Sequence, residues 1–231
     1  SGQVGLFTGC IAEHFDRETL VAAIELLTAI GFEVIVPSEQ SCCGAIHQHN
    51  GQPAEPFISK NIKVFNALNL DAILYTATGC GAMLSEYQNS DTQAVENFKQ
   101  RLFDINDFLL THWPEGLILK PAKLKVAVHE PCSQHNVIKN QQTVYKLLKK
   151  IPGLTIVPLP NNHLCCGAGG SYMLTHPEYA NELRVKKRIT INTVKADKLV
   201  TSNFGCSLYL SDHDGEIIHL VRLLIEQLPK S

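Results

Sequence analysis

The eight cysteines of this chain form one pattern that occurs twice. The first copy consists of Cys10, Cys42, Cys43 and Cys80, and the second consists of Cys132, Cys165, Cys166 and Cys206. The intervening segments are 31 and 36 residues long in the first copy, and 32 and 39 residues long in the second. Buried cysteines that serve only as small apolar residues have no reason to keep such a spacing. The chain is therefore predicted to contain two four-thiol sites for metal or redox chemistry.

The segments around the cysteines follow the same repeated order. Short apolar runs precede the cysteine positions and predict buried strands at residues 4–7, 32–36, 72–75, 124–128, 154–157 and 199–201. The spacing of apolar residues between these runs predicts helices over residues 18–30, from 56 onward, over 144–151 and from 177 onward. Two further helices are predicted over residues 94–110 and 217–228.

Strands that alternate with helices predict an α/β fold with parallel sheets. We expect two homologous β/α, Rossmann-like halves with short parallel sheets, and cysteine loops at the carboxyl ends of the strands. We place the boundary near residue 120, so that residues 1–120 form the first cysteine-rich domain and residues 121–231 form the second. Because the carboxyl ends of parallel strands meet at one sheet edge, the four sulfurs of each set are expected to surround a common cavity.

Four glycines lie beside the cysteines and are predicted to border the cofactor sites. They are Gly44, Gly79, Gly167 and Gly205. Glycine lets the backbone turn tightly and brings amide N–H groups close to anionic sulfur.

Three kinds of site are compatible with four thiols. An iron–sulfur cluster is favoured, because anionic sulfur ligands match iron and four of them complete a cubane cluster. Thiol or disulfide redox chemistry is the second kind, but strained vicinal disulfides in both adjacent pairs would leave the other four cysteines unexplained. Zinc or plain burial is the third kind, although structural zinc usually uses close Cys-x-x-Cys pairs, which this chain lacks.

Other polar residues near the cysteines have a functional and a plain interpretation. The histidines are His47, His49, His135 and His163. They could ligate metal, donate hydrogen bonds to sulfur or move protons, but loop histidines more often have only solvent or backbone partners. The glycine-rich residues 167–170 are expected to approach the cluster site rather than to bind phosphate. The basic run 186–188 is predicted to be a solvated helix face, with docking of an acidic partner as the alternative.

Charge and hydropathy exclude several partners. The formal net charge of −2 includes no basic excess, so no nucleic-acid partner is expected. No apolar run reaches the ~18 residues of a membrane span, and no export signal opens the chain. We therefore expect reduced thiols in a cytoplasmic protein that reaches the inner face of a membrane only through partners. The sequence begins at Ser1 rather than at Met, so we expect it to be a fragment.

Six segments resemble the motifs of the cysteine-rich CCG family, in which a cysteine precedes a Cys-Cys-Gly motif and a further cysteine motif follows. They are Phe7-Thr8-Gly9-Cys10, Ser41-Cys42-Cys43-Gly44, Thr78-Gly79-Cys80-Gly81-Ala82-Met83, Glu130-Pro131-Cys132, His163-Leu164-Cys165-Cys166-Gly167 and Gly205-Cys206. The family includes the cysteine-rich subunit of heterodisulfide reductase and the iron–sulfur subunit of glycolate oxidase. The resemblance covers nearly the whole chain, and the segments around Cys80 and Cys165 are most similar to the glycolate oxidase subunit.

The resemblance implies an electron-transfer subunit with no catalytic residue of its own. The eight cysteines would hold one four-iron cluster in each half, and oxygen-sensitive clusters of this kind would be absent from aerobically prepared protein. A flavin on a partner dehydrogenase would oxidise a glycolate- or lactate-type 2-hydroxy acid, and the clusters would pass electrons towards a quinone or another acceptor. Many family members also have a ferredoxin-like segment before these domains, which is expected upstream of this sequence or on a partner.

Two alternatives to electron transfer remain open. The cysteine-rich subunit of heterodisulfide reductase is a catalyst that carries a fifth cysteine in each set, and Met83 and Tyr209 occupy the equivalent positions here. These replacements weaken the prediction of disulfide-cleaving catalysis. A zinc-stabilised, non-redox scaffold is the other alternative.

Overall fold

A computed structural model describes residues 2–211 and 216–229. These residues contain two parallel sheets of four strands each. The first sheet contains β1 (Gln3–Phe7), β2 (Glu33–Ile35), β3 (Ala72–Tyr75) and β4 (Leu102–Asp104), and the second contains β5 (Lys125–His129), β6 (Thr155–Pro158), β7 (Lys198–Thr201) and β8 (Glu216–Ile218). The prediction of an α/β fold with two homologous halves is confirmed.

Helices connect the strands in both halves. The first half contains α1 (Ala12–Phe15), α2 (Arg17–Ala29), α3 (Ala45–His49), α4 (Glu55–Asn66), α5 (Thr78–Ser85), α6 (Thr92–Lys99) and α7 (Ile105–Thr111). The second half contains a π-helical turn (Gln134–Ile138), α8 (Gln141–Leu148), α9 (Tyr172–Thr175), α10 (Pro177–Val194), α11 (Phe204–Leu210) and α12 (Leu220–Glu226). Within the described part of the chain, no helix is both long enough and apolar enough to cross a bilayer.

The two sheets have the same strand order. The order is β2-β1-β3-β4 in the first sheet and β6-β5-β7-β8 in the second. The chain therefore leaves the first strand towards one edge and then returns to its other side, which creates a topological switch point between β1 and β3 and another between β5 and β7. In open parallel sheets, ligands bind beyond the carboxyl ends of the strands at such a point. The central strand β3 is buried along its whole length, as expected for a strand that is covered on both faces.

One apolar core is shared by the two halves. Helix α2 packs against α12, and α7 packs against α8. The buried cluster between the sheets contains Leu26 and Phe108 from the first half and Leu147 and Leu224 from the second. All four strands of the first sheet precede residue 120 and all four of the second follow it. The boundary at residue 120 stays a prediction, because the core is continuous across it.

The segments predicted as continuous helices over residues 94–110 and 217–228 each include a strand, in the middle of the first and at the start of the second, so these two predictions were wrong in part. The first contains the end of α6, then β4, then α7, and the second contains β8 followed by α12. Both strands are three-residue edge strands, which are too short to show an alternating pattern. Aspartate is a preferred N-cap residue, so Asp104 marked the start of a new helix in the sequence. In the structure, its carboxylate accepts the Asn106 N–H at 2.8 Å and caps α7.

His219 joins the halves in a buried position. Its Nδ1 accepts the Val221 N–H at 3.2 Å at the start of α12. Its Nε2 therefore carries the proton and donates to the Thr76 carbonyl, 3.0 Å away, in the first half. Asn106 makes a second bond across the halves, because its Nδ2 donates to Ser202 Oγ at 3.2 Å. Burial lowers the pKa of His219 to about 4.

This buried histidine predicts a loss of stability in mild acid. In the unfolded chain, the His219 imidazole binds a proton below pH 6.5, its ordinary pKa. In the folded chain, the same imidazole stays neutral down to about pH 4. Stability is thus lost as pH falls through this window, and between pH 7.5 and 5 the loss is about 2 kcal/mol. The free energy of urea unfolding should be measured at both pH values for the original protein and for His219→Asn, which keeps a capping side chain. The loss between the two pH values should be smaller in the variant.

The comparison isolates His219 because other titrating groups are the same in both proteins. Burial raises the pKa of Asp104 to about 7, which stabilises the fold as pH falls and so has the opposite sign. Equal losses of unfolding free energy in the two proteins would contradict the prediction.

Candidate functional site

One cavity of about 430 Å³ is lined by all eight cysteines. Cys10 follows β1 and Cys80 follows β3, so they flank the first switch point; Cys132 and Cys206 follow β5 and β7 and flank the second. The adjacent pairs follow the neighbouring strands β2 and β6. The two sites thus open into one space between the halves, a convergence that the sequence did not predict.

The local structure around the cysteines differs in one respect from the predicted loops. Cys80 and Cys206 lie within α5 and α11, near the start of each helix. Two residues separate β3 from α5, and two separate β7 from α11, so the last cysteine of each set is held by helical backbone. Cys132 is also helical, directly before the π-helical turn, whereas Cys10 and the two adjacent pairs lie outside helices, as predicted.

All eight cysteines are free thiols in direct contact within their sets. The Sγ atoms of Cys166 and Cys206 are 2.8 Å apart. Two sulfurs bound to one tetrahedral metal lie roughly 3.8 Å apart for metal–sulfur bonds of ~2.3 Å, so ligation requires these sulfurs to separate. Among residues 2–211 and 216–229, no group of three or more His, Cys, Asp or Glu side chains is arranged to hold a single metal ion, whereas the four thiolates of a four-iron cluster each bind a different iron.

One sulfur in each set is electrostatically favoured as a thiolate. The Cys10 and Cys43 thiols donate to Cys42, and the Gly44 N–H does so at 3.4 Å; these bonds hold the Cys42 pKa well below its usual range. The equivalent donors around Cys165 have the same effect on its pKa. Hydrogen bonding to a thiolate neighbour and burial raise the pKa values of the flanking thiols. Each set is therefore poised to present anionic sulfur to a cationic group.

Two of the four predicted glycines make the expected tight turn. Gly44 has φ 87° and Gly167 has φ 91°, and their N–H groups point at Cys42 and Cys165. Gly79 and Gly205 instead lie in α5 and α11 with ordinary helical backbone, so no turn forms there. The reason is that the cysteine after each of them is in a helix. A role of the four glycines in holding a cofactor stays a prediction.

Two amides that sequence reasoning missed hold the loops of each set together. Gln40 accepts the Thr8 N–H at 2.9 Å and donates to the Leu6 carbonyl at 3.2 Å. In the second half, Asn162 accepts the Glu130 N–H at 3.0 Å and donates to the Val128 carbonyl at 2.9 Å. Each amide links the segment before the adjacent cysteines to the carboxyl end of the first strand of its sheet, β1 or β5. Their matched positions, just before the two pairs, were the signal for this role.

Asn203 connects the two sets to each other. Its Oδ1 accepts the N–H of Gly79, which precedes Cys80, at 3.2 Å. Its Nδ2 donates to the Cys206 Sγ at 3.4 Å. A second bond across the halves joins the hydroxyls of Thr78 and Ser133, which are 2.8 Å apart. The relative position of the two sets is thus fixed by hydrogen bonds beside the cysteines.

The four histidines near the motifs do not converge on the sulfurs. His49 lines the shared cavity. His47 packs against the ring of Phe57, and its Nδ1 is buried without a hydrogen-bond partner. His135 contacts Gln141, and His163 is exposed.

The basic run 186–188 is not wholly solvated, so that prediction was wrong for its central residue. Lys186 is exposed, but Lys187 is only 1% exposed, and its Nζ donates to the carbonyls of Asn161 and Asn162 in the segment before the second cysteine pair. Lys187 lies on the buried face of α10, together with Ala180 and Val194. Next to Lys187 is the buried His129, whose Nδ1 is 2.9 Å from Thr201 Oγ1; burial and the nearby Lys187 charge lower its pKa to about 3.

The same duplicated architecture defines a known family. The family model of the CCG cysteine-rich domain matches residues 4–85 and 126–211, and each matched segment contains one complete set of four cysteines. The chain belongs to the CCG cysteine-rich domain family. The resemblance predicted from the cysteine motifs is thereby confirmed.

Two relatives with functional names cover nearly all of this CCG chain. The glycolate oxidase iron–sulfur subunit of Escherichia coli (strain K12) is 31% identical in an alignment 242 positions long, which covers 99% of this chain and 58% of that protein. Lactate utilization protein A of Geobacillus thermodenitrificans (strain NG80-2) is 26% identical in an alignment 230 positions long, which covers 96% of this chain and 95% of that protein. The chain thus spans little more than half the length of the glycolate oxidase subunits it matches.

A solved structure has the same fold. A hypothetical protein from Helicobacter pylori matches 100% of this chain and 49% of its own with a TM-score of 0.70 and 13% sequence identity. At this identity the match extends only to the fold.

The donor set of each site fits a thiolate-bound metal–sulfur group. Four sulfurs converge, one of them is held as an anion, and backbone N–H groups point at it. N–H groups placed in this way stabilise negative sulfur in iron–sulfur proteins.

Proposed function

We propose that the chain is an iron–sulfur electron-transfer subunit of a system that oxidises a glycolate- or lactate-type 2-hydroxy acid, with one four-iron cluster in each half. A flavoprotein dehydrogenase partner would oxidise the substrate, and a quinone or a similar acceptor would receive the electrons. The observation that carries the proposal is the arrangement of two four-cysteine sets at the switch points of two sheets, around one cavity.

The chain's own residues would hold and tune the clusters rather than touch the substrate. Each set of four thiols would ligate one cluster, and a bound cluster accepts and releases one electron at a time. The N–H groups of Gly44 and Gly167 would stabilise the anionic sulfur. Apolar side chains such as Ile46 and Met173 line the cavity and limit access of water. Asn203 fixes the distance between the sets, on which the rate of electron exchange depends.

Metal analysis after anaerobic reconstitution tests the proposal. We expect brown protein that contains iron and acid-labile sulfide, with electron paramagnetic resonance signals of two clusters. The reconstituted chain with oxidised clusters should not oxidise glycolate or lactate by itself, but with a flavoprotein partner it should pass electrons from the substrate to an artificial dye. Colourless protein that binds only zinc under these conditions would contradict the proposal and would favour the scaffold alternative.

One observation favours a second function, disulfide reduction. Both cysteine sets face the same cavity, so a small molecule there would contact both sites. Met83 and Tyr209 occupy equivalent places in the two halves: an added Cβ at Gly44 would lie 3.5 Å from Met83, and one at Gly167 would lie 3.1 Å from Tyr209. These side chains offer no thiolate as a fifth ligand. Turnover of an added disulfide to two thiols by the isolated, reconstituted chain, with the two electrons supplied by an artificial one-electron donor and the protons by water, would favour this function over electron transfer.

A further inference from the structure

The two cysteine sets rest on helices that can be aligned residue by residue. An added Cβ at Gly44 would lie 3.1 Å from the Ala54 side chain, and an added Cβ at Gly167 would lie 2.4 Å from the Ala180 carbonyl. Ala54 and Ala180 are thus equivalent positions at the start of α4 and near the start of α10. Two helical turns further along, each helix places a buried polar residue under its set: Asn61 in the first half and Lys187 in the second.

Asn61 and Lys187 both form hydrogen bonds to the backbone beside the adjacent cysteines, but they differ in charge. Asn61 accepts the Ser41 N–H at 2.8 Å and donates to the Cys42 carbonyl at 2.9 Å, and it also donates to the Tyr87 hydroxyl. The Lys187 Nζ donates to the carbonyls of Asn161 and Asn162, at 3.2 and 3.3 Å. Both residues therefore tie the segment that precedes the adjacent cysteines to a helix. Only Lys187 brings a positive charge to that position.

The Lys187 ammonium acts on the whole second set. Burial lowers the pKa of Lys187 on balance, whereas negative charge on a sulfur of the second set raises it. Two carbonyl acceptors also favour the charged form. The ammonium is therefore a fixed cation beneath the second set, in a region where water screens it weakly.

The other neighbours of the two sets are more closely matched. A histidine side chain lies near one sulfur in each set: His47 near Cys42 and His129 near Cys165. The first set rests on a large apolar cluster that includes Phe65 and Phe98, and its second buried polar partner is the neutral Tyr87 hydroxyl, which donates to the Cys43 carbonyl at 2.9 Å. Lys187 thus places a positive charge where the first half has the neutral Asn61, and Glu86 of the first half adds a negative charge at the cavity.

We propose that Lys187 makes the second site the one with the higher reduction potential, so that an electron shared by the two sites resides on the second. The inference rests on the proposed function, since it requires a cluster in each set. Reduction adds one negative charge to a site and removes it from the electron donor, with no bond formed or broken. A buried cation stabilises the added charge at the second site, while Asn61 and Tyr87 offer the first site only dipoles. Lys187 is a positioning residue, because it contacts loop carbonyls and acts on the cluster only through its charge.

Spectroscopic redox titration of reconstituted single-site proteins tests this order. Cys165→Ser leaves the first site and Cys42→Ser leaves the second, and each midpoint potential can then be assigned. We expect the second site to be the more positive. In the Cys42→Ser background, Lys187→Met should lower its midpoint by at least a tenfold change in the one-electron equilibrium constant, which is about 59 mV. Lys187→Arg, which keeps the charge, should retain most of the potential.

The matched control is Lys186→Met, which removes the exposed neighbouring lysine on the same helix and should leave both midpoints unchanged. A purely structural role of Lys187 would reduce iron content in Lys187→Met without moving the midpoint, and that result would overturn the inference. Equal or reversed midpoints in the two single-site proteins would overturn it as well, even if Lys187→Met does not fold. In these cases the proposed function stands, because clusters are present; a chain that binds no cluster overturns both.

Discussion

Serine at position 165 is expected to remove one of two clusters and to leave the other intact. Cys165 is the sulfur that accepts hydrogen bonds from the Cys132 and Cys166 thiols and from the Gly167 N–H, so it is the anionic centre of its set. A serine hydroxyl is a harder and far less acidic donor than a thiol and does not replace it as an iron ligand. The reconstituted variant should lose half of its iron and sulfide, together with one of the two paramagnetic signals.

The matched variant is Cys42→Ser, which makes the same change at the equivalent position of the first set. It should lose the other signal, and the double variant should bind no cluster. Loss of all iron in either single variant would contradict the prediction. That result would indicate one metal group shared by both sets, an arrangement that becomes conceivable because all eight cysteines line the same cavity.

The parts of the fold that could be predicted are those set by local sequence. The strands β1 and β3 lie at the centre of a sheet and are buried on both faces, so their apolar runs were evident. The edge strands β4 and β8 have only three residues each, and the apolar spacing around them matched a helix. Their existence depends on pairing with β3 and β7, which is a tertiary effect.

The composition of each site was predictable, but the relation between the sites was not. The repeat specifies four thiols per half, and the strand-end position brings them together. That the two sets share a cavity follows from the packing of α2 on α12 and from Asn203, which bonds Gly79 in the first half and Cys206 in the second. No spacing in the sequence reveals such contacts.

The buried charge of Lys187 was hidden for a related reason. In sequence it lies within a basic run of the kind that usually faces solvent. The buried positions of α10 are Ala180, Lys187 and Val194, which recur every seven residues and form a narrow stripe with only two apolar members. Alignment of the two halves by their glycines identifies Lys187 as the counterpart of the buried Asn61.

Alanine at position 167 is expected to destabilise the protein more than alanine at position 44 or 116. Two costs add at this residue. Its φ of 91° is unfavourable for an alanine by roughly 1–2 kcal/mol. The new Cβ would also lie 2.4 Å from the Ala180 carbonyl oxygen, a backbone atom of α10 that cannot rotate away, and 3.1 Å from the Tyr209 ring. Together we expect a loss of about 3 kcal/mol or more in the free energy of unfolding.

Two other glycines separate these costs. Gly116 has φ 87° and open space around an added Cβ, so Gly116→Ala measures the conformational cost alone. Gly44 has the same φ, but its Cβ would meet the Ala54 side chain at 3.1 Å, so Gly44→Ala should fall between the two. Urea denaturation of the metal-free proteins gives the three values. A Gly167→Ala protein no less stable than Gly116→Ala would contradict the prediction and would mean that α10 shifts freely away from the Cys-Cys-Gly turn. If α10 is fixed, the substitution should also weaken metal binding by the second set alone, because the Gly167 N–H that points at Cys165 would be displaced.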